Sequence, residues 1–529
     1  MSGPGDAAPM LLKRGVIYPR VGRPTTVSQA ILAHGKVVAV GEDLGRRGTT
    51  PVDLEGRVVL PGLTDAHIHL EKYAHQLQVV DCETSTREEC LRRVRQRAES
   101  TPPGAWILGH GWNQNDWGGF GTAADLDAAA PANPVYLTAK SLHAAWANTR
   151  ALQAAGLASA PDPTGGRVQR DSSGHPTGIL FEAAMDLITP VLPQPALEST
   201  IADILAAQSR LWRMGLTGVH DFDGRRCFEA LQILREQRTL GLRVLKSIPH
   251  ELLPHAVALG LRSGFGDDQL RIGHVKVFAD GALGPRTAAM LAPYEGEPEN
   301  LGMLFLDREA ILETGIRAAE AGLALAIHAI GDRANHEVLE GLAALRRHEG
   351  EHHLPHRRHR IEHLQLLHSD DLHRPAELDV VASMQPSHAT SDMSMADRYW
   401  GDRVAGAYAW QSELRSGATL AFGSDAPVES PDPFLGLYAA VTRRRTDGSP
   451  SSEGWTPAER IDIADALRGF TEGPAYAAGW DSSVGRLEPG SCADLIVLDR
   501  DPHTCPAEEL LRTRVLGTMV SGSWVFRDF

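Results

Sequence analysis

Short apolar runs recur through the middle of the chain, bounded by Gly, Pro or charged residues and separated by stretches of helical periodicity. They are LTGVHDF (216–222), LRVLKSI (242–248), IGHVKVF (272–278), LALAIHAI (323–330), RIEHL (360–364), VVASM (380–384) and LAFG (420–423). Residues 58–70, VVLPGLTDAHIHL, add an earlier one: a β-branched and aliphatic run, a Pro-Gly break, then two histidines one residue apart. Runs of this kind read as strands buried on both faces. The gaps 308–321 and 333–346 carry apolar residues at three-to-four spacing, as helices do. Eight alternating β and α units predict an α/β fold, a (β/α)8 TIM-like barrel, whose reactive residues stand at the C-terminal ends of the strands.

Two regions fall outside that alternation. The gap 71–215 far exceeds the ~30 residues of an ordinary βαβ unit. It holds HGWNQNDWGGFG (110–121), the strand-like NPVYLTA, SLHAAWANTRAL (141–152) and the turn-rich PDPTGGRVQRDSSGHPTG (161–178). It predicts a subdomain at 71–200, inserted after the first barrel strand and hanging over the barrel mouth, where Trp112 would line a pocket or fill a core. Residues 11–60 and 492–529 share a texture of short β pieces. Residues 1–60 and 481–529 are therefore expected to form one small composite β-sandwich domain, with the barrel at 61–480.

Composition narrows the class. With 52 Lys and Arg against 67 Asp and Glu the net charge is −15, which repels phosphate backbones and anionic membranes, so neither nucleic acid nor membrane is an expected partner. The basic run HHLPHRRHR (352–360) reads as a solvated loop. Five cysteines without a C-x-x-C suit a reducing cytoplasm. No sustained apolar leader or membrane span is visible. The expected partner is a small-molecule substrate; a homodimer is left open.

The chemistry lies at the strand ends. His67 and His69 alone are a weak signal, since about one H-x-H arises by chance in a chain with this many histidines. On a strand, however, both imidazoles point to one side. The ends of later runs supply Lys276, His328, His363 and Asp425. Imidazoles and a carboxylate on rigid strands suit a Zn2+-type cation, and six candidates suggest one or two ions. Manganese, iron or nickel would accept the same set. Lys276 is the odd member, because an ammonium repels dications. Desolvation and nearby charge would lower its pKa, and the neutral amine could capture carbon dioxide as a carbamate able to bridge two ions. Asp425, in GSDAP, would take a proton from an activated water.

PGLTDAHIHL, HAAWANTRAL, DPTGGRVQRDSSGHPTGIL, VKVFADGALGPRTAAM, AIHAIGDRAN, RHRIEHLQ, SMQPSH, AFGSDAPVESPDP and LEPGSCADLIVLDRDP span nearly the whole chain in order. They resemble the amidohydrolase superfamily, in particular its amidohydrolase-3 (YtcJ-like) branch with the N-substituted formamide deformylases. The resemblance implies a composite terminal β-domain, a distorted barrel, a zinc-type centre on His67, His69, carboxylated Lys276, His328 and His363, and Asp425 as general base. One segment departs: SLHAA (141–145) stands where the family usually has Asp-Gly before the histidine. That difference bears on substrate choice, with His143 as an oxyanion donor or a structural histidine. Glu182, Asp280, Arg286 and His388 are further candidates for touching substrate.

The expected function is hydrolysis of a non-peptide C–N bond, amide or N-formyl-type, in a small molecule. Deamination, ester hydrolysis and decarboxylation are alternatives on the same scaffold, and a non-catalytic scaffold protein is a fourth. The last would be expected to have lost ligands, and all six candidates are present.

Overall fold

The computed structural model describes residues 9–529 apart from 24, 46–47, 141–143, 158–159, 164–165 and 194–195, with the side chains of 115–116 also set aside. The chain forms two compact units, Met1–Leu70 with Leu205–Phe529, and Glu71–Ile204.

In the larger unit all eight apolar runs are strands of one parallel sheet. They are β1 (Leu63–Ile68), β2 (Leu216–Asp221), β3 (Arg243–Pro249), β4 (Leu270–Phe278), β5 (Ala324–Ala329), β6 (Arg360–His363), β7 (Val381–Met384) and β8 (Leu420–Phe422). Each pairs with its sequence neighbour. The ends meet just beyond β8, where Ile68 bridges Ala426 in parallel and the Asp425 N–H donates to the His67 carbonyl at 2.7 Å. The result is a nearly closed barrel. Most of these strands are buried at every position, which explains why they read as continuous rather than alternating apolar runs. Helices α1 (Arg308–Glu320) and α2 (Asp332–Glu351) follow β4 and β5, and Asp307 caps α1 by accepting from the Ala310 N–H.

The 58–70 stretch divides at its Pro-Gly break. Val58–Pro61 joins a five-stranded sheet with Val16–Ile17, Leu495–Leu498, Val515–Val520 and Ser523–Arg527, whereas Leu63–Ile68 enters the barrel. A four-stranded sheet holds Met10–Lys13, Gln29–Ala33, Lys36–Gly41 and Thr50–Asp53. One apolar core takes Leu12, Ile17 and Val59 from the N-terminal side and Leu495, Val497 and Met519 from the C-terminal side. The terminal pieces thus form a single composite β structure.

The unit Glu71–Ile204 has its own six-stranded sheet, in the order Gly166–Arg170, Pro176–Glu182, Ala144–Ala147, Val135–Ala139, Ile107–Trp112 and Val80–Asp81. Thr122 and Asp125 form a reciprocal cap on Ala123–Ala129. Trp112 and Trp146 fill its core. Among the described residues no disulfide forms, and no helix is long and apolar enough to cross a membrane.

The basic run 352–360 is only partly the solvated loop its composition predicts. Residues 352 and 353 are exposed, but His359 and Arg360 are fully buried. Burial of this guanidinium is possible because Glu362 neutralises it and it donates to the Ala66 carbonyl at 2.7 Å and the Ser383 hydroxyl at 2.6 Å.

Candidate active site

His67 stands on β1 and His69 one residue past its end. Each is fixed through Nδ1, which donates to Glu362 Oε2 at 2.6 Å for His67 and to Asp223 Oδ1 at 3.0 Å for His69. His363, at the end of β6, donates through Nδ1 to Gln385 Oε1 at 2.9 Å. The tautomers follow from these partners, which accept, and leave the Nε2 lone pairs available. His67 Nε2 and His69 Nε2 lie 3.5 and 3.6 Å from Asp425 Oδ1, and His388 Nε2 lies 3.8 Å from Asp425 Oδ2. His388 is on the helix α3 (Pro386–Trp400).

His328, at the end of β5, packs its ring 4.5 Å from that of His363, and His363 lies 5.0 Å from His67. It donates through Nε2 to the Gly281 carbonyl at 2.9 Å, so its Nδ1 carries the lone pair. Lys276 is buried on β4 with Nζ 4.7 Å from the Phe222 ring and 5.0 Å from that of Phe278. Its charge acts on His67, His328, His363 and Asp425. The barrel therefore brings His67, His69, Lys276, His328, His363, His388 and Asp425 to one end.

Burial sets the protonation states. It lowers the His67 pKa to about 4, and that of His328 to about 3, with Lys276 adding to both. His363 is pushed well below the usual imidazole value by burial and by His328. These three imidazoles are neutral at pH 7, the form that binds a metal. Burial pushes Asp425 up, but His67, His69, His388 and Lys276 outweigh it and hold the carboxyl below its ordinary value.

Backbone strain marks the same place. His363 (φ 74°) and Asp425 (φ 58°) are both left-handed, a conformation that costs non-glycine residues energy and recurs at functional sites. Asp65 ties β1 to the turn after β8 by accepting from the His67 N–H at 3.0 Å, the Ser424 N–H at 3.0 Å and the Ser424 hydroxyl at 2.5 Å.

The donor set fits a divalent metal of the zinc kind. Ligand atoms of His67, His69 and Asp425 lie within 4.8 Å of one another, as do those of His363, His388 and Asp425. Two ligands each about 2.1 Å from one ion at a tetrahedral angle stand roughly 3.4 Å apart, close to the separations from both H-x-H nitrogens to Asp425.

Other expected contacts are placed differently. Trp112 is 1% exposed and its indole N–H donates to the Leu137 carbonyl at 2.8 Å, so it is core rather than pocket lining. Asp280 is also buried, and its carboxylate accepts from the N–H groups of Ala289, Ile330 and Gly331 at 2.9–3.0 Å. It joins the loops after β4 and β5 instead of facing substrate. Arg286 pairs with Glu297 at 2.7 Å and reaches Tyr399 Oη at 3.2 Å. Glu182 is exposed at the end of Pro176–Glu182, with φ 50°. His143 lies outside the described residues.

Glu362, Asp223 and Gln385, which aim the histidines, were not singled out by sequence reasoning. A signal existed for Glu362: an acidic residue inside an apolar strand, next to a candidate ligand, in RIEHL. Burial pushes Glu362 up, yet Arg360 and His67 keep it well below the usual carboxylate value.

Comparison with known proteins agrees with this geometry. The chain is 32% identical over 507 residues to the putative amidohydrolase YtcJ of Bacillus subtilis, covering 94% of each. It is 30% identical over 536 residues to an N-substituted formamide deformylase of Arthrobacter pascens, again covering 94% of each. A crystal structure of an uncharacterised metal-dependent hydrolase from Pyrococcus horikoshii superposes with a TM-score of 0.79 at 31% identity, covering 94% of this chain and 99% of that one. These relatives and the donor set agree on a metal-dependent hydrolase. The sequence model of the amidohydrolase family (Amidohydro_3) matches residues 50–526, and the chain belongs to that family.

Proposed function

We propose that the chain hydrolyses a non-peptide C–N bond, amide or N-formyl-type, in a small molecule. The observation that carries this reading is the convergence of His67 Nε2 and His69 Nε2 on Asp425 Oδ1 at 3.5 and 3.6 Å. His67, His69, Lys276, His328, His363 and Asp425 would hold one or two Zn2+-type ions, with Lys276 as a carbamate. Such an ion supplies Lewis acidity to a carbonyl and makes hydroxide available near pH 7. The similarity to an N-substituted formamide deformylase supports the choice of bond.

Asp425 acts as general base and then acid: it accepts the proton of the attacking water and returns it to the departing nitrogen. Its carboxyl is ionised, and so ready to accept, at neutral pH. His388, 3.8 Å from the other carboxylate oxygen, would donate to the substrate carbonyl as negative charge develops there. Asp425→Asn should lower kcat on a susceptible amide by about 10²–10⁴-fold. Exhaustive chelation should abolish turnover and added Zn2+ restore it. Turnover that survives both treatments would contradict the reading.

A further inference from the structure

The basic run 352–360 walls a cavity at the end of the barrel away from the candidate metal ligands. The cavity has a volume of about 200 Å³, and Arg271, His274, His356, Arg357 and Arg358 line it. Its strand walls include Ile272 and Ala324, at or near the starts of β4 and β5, and Arg357 and Arg358 just precede β6. Lys276, His328 and His363 stand at or toward the far ends of the same three parallel strands. The cavity and the candidate metal centre therefore occupy opposite ends of the barrel.

This lining carries cations and no anion. Among the described residues no carboxylate lines the cavity, although the chain as a whole has a net charge of −15. Carboxylates outside the lining serve some of the cations. Arg358 pairs with Asp481, His356 lies 3.5 Å from Asp379, and Arg271 has Asp268 at 3.6 Å and donates to the Gly479 carbonyl at 3.2 Å. His274 donates through Nε2 to the Arg358 carbonyl at 3.1 Å, which ties β4 to the basic run. Arg357 is less well served. Its Nη2 and Arg262 Cγ lie 3.0 and 3.3 Å from the point where a Cβ of Gly322 would stand, so two cationic side chains run together. Among the described residues Nε of Arg357 finds no hydrogen-bond acceptor, and neither does Nε of Arg271. Burial and Arg262 push the Arg357 guanidinium below its ordinary pKa against Glu349, and at Arg271 burial outweighs Asp268 and Asp267. Buried polar groups ordinarily have partners and buried cations an anion, so two under-compensated guanidiniums on one cavity point to an anionic ligand.

We infer that this cavity binds a phosphate-type oxyanion, free or at the end of a small metabolite, with Arg357 as its anchor and Arg271 beside it. A guanidinium fork matches paired phosphate oxygens and holds them by charge-assisted hydrogen bonds. The negative charge of the rest of the chain is screened over distance and acts weakly on a small anion held this closely. A bound anion would join the segment before β6 to β4 and β5 and so stabilise the folded protein by linkage.

The test measures binding of inorganic phosphate, glycerol phosphate and, at matched ionic strength, chloride to the purified protein by calorimetry, with the melting temperature followed alongside. Wild type should bind phosphate or its monoester and melt higher with it, whereas chloride does neither. Arg357→Gln should weaken that binding about 10–100-fold, as loss of a charge-assisted hydrogen bond does, and remove the melting shift. Arg357→Lys keeps the charge without the fork and should fall between; it serves if the glutamine variant does not fold. Arg512, with a side chain 75% exposed, is the control for loss of one positive charge, and Arg512→Gln should bind as wild type does. Preference for the monoester assigns the site to a phosphorylated metabolite and equal binding to the free ion, and either upholds it. No saturable binding up to millimolar phosphate, or equal affinity in wild type and Arg357→Gln, would overturn the site. Binding that chelation abolishes and Arg357→Gln leaves intact belongs to the metal centre and overturns it too.

Discussion

Glu362 Oε2 lies 2.6 Å from Nδ1 of His67, and neither side chain reaches solvent. A carboxylate behind a ligating imidazole fixes its tautomer and raises its basicity, and losing such a partner typically costs 10–100-fold in metal affinity. Glu362→Gln keeps the shape but removes the charge, so the affinity for Zn2+ should fall about 10–100-fold. Competition against a chromogenic chelator would measure it. Unchanged affinity would show that Glu362 serves Arg360 alone.

Arg360 tests the other half of that pair. Its guanidinium donates to Glu362, Ser383, the Ala66 carbonyl and His220 Nδ1, all inside the barrel. Arg360→Met leaves Glu362 with less countercharge and should destabilise the protein by about 3–5 kcal/mol. The double variant Arg360→Met, Glu362→Gln should recover part of that loss in urea unfolding, because no uncompensated carboxylate then remains buried. A double variant no more stable than the single would remove the charge-pairing explanation.

The contrast between these two residues and the strands shows what the sequence made legible. All eight barrel strands could be read because burial on both faces writes an uninterrupted apolar run, and because His67, His69, His328 and His363 stand at or near run ends. Arg360 and Glu362 point into the same interior, and Arg360 fell both in the strand-like run RIEHL and in the basic stretch 352–360, whose composition reads as a loop. For Trp112 the sequence left pocket lining and core both open, because its depth depends on packing with Leu137 and Trp117, which spacing does not encode. His388 comes within reach of Asp425 only through the turn from β7 into α3. That relationship exists in three dimensions alone.

His359, at the end of the misread basic run, gives a pH prediction. Its Nδ1 accepts from the Leu325 N–H at 3.0 Å and its Nε2 donates to Glu349 at 3.1 Å, so the native ring is neutral. Burial lowers its pKa below the ordinary imidazole value. The unfolded chain then binds the extra proton first, and the stability present above pH ~6.5 is lost as pH falls toward the folded value. His359→Gln should make the slope of unfolding free energy against pH below ~6.5 shallower by up to about 1.4 kcal/mol per pH unit, the worth of one proton. Urea titrations of the metal-free protein from pH 7 to 5 would read it, and parallel slopes would sink the assignment.

Gly423 decides how closely β8 can approach the H-x-H pair. A Cβ built there would stand 2.4 Å from the His67 backbone nitrogen and 2.7 Å from Asp65 Oδ1, and both belong to the network that joins β1 to the Ser424 turn. Backbone cannot yield as a flexible side chain does, so Gly423→Ala must push the turn carrying Asp425 outward. Overpacking of this kind costs about 1–3 kcal/mol. Stability should fall by that amount, and metal affinity should fall with it because Asp425 moves away from both imidazoles. An alanine substitution at Gly284, where a Cβ meets nothing within 4 Å, is the matched control. If Gly423→Ala lowers the melting temperature while Zn2+ affinity stays at the wild-type value, the position of Asp425 is not what holds the ion, and its place among the ligands falls.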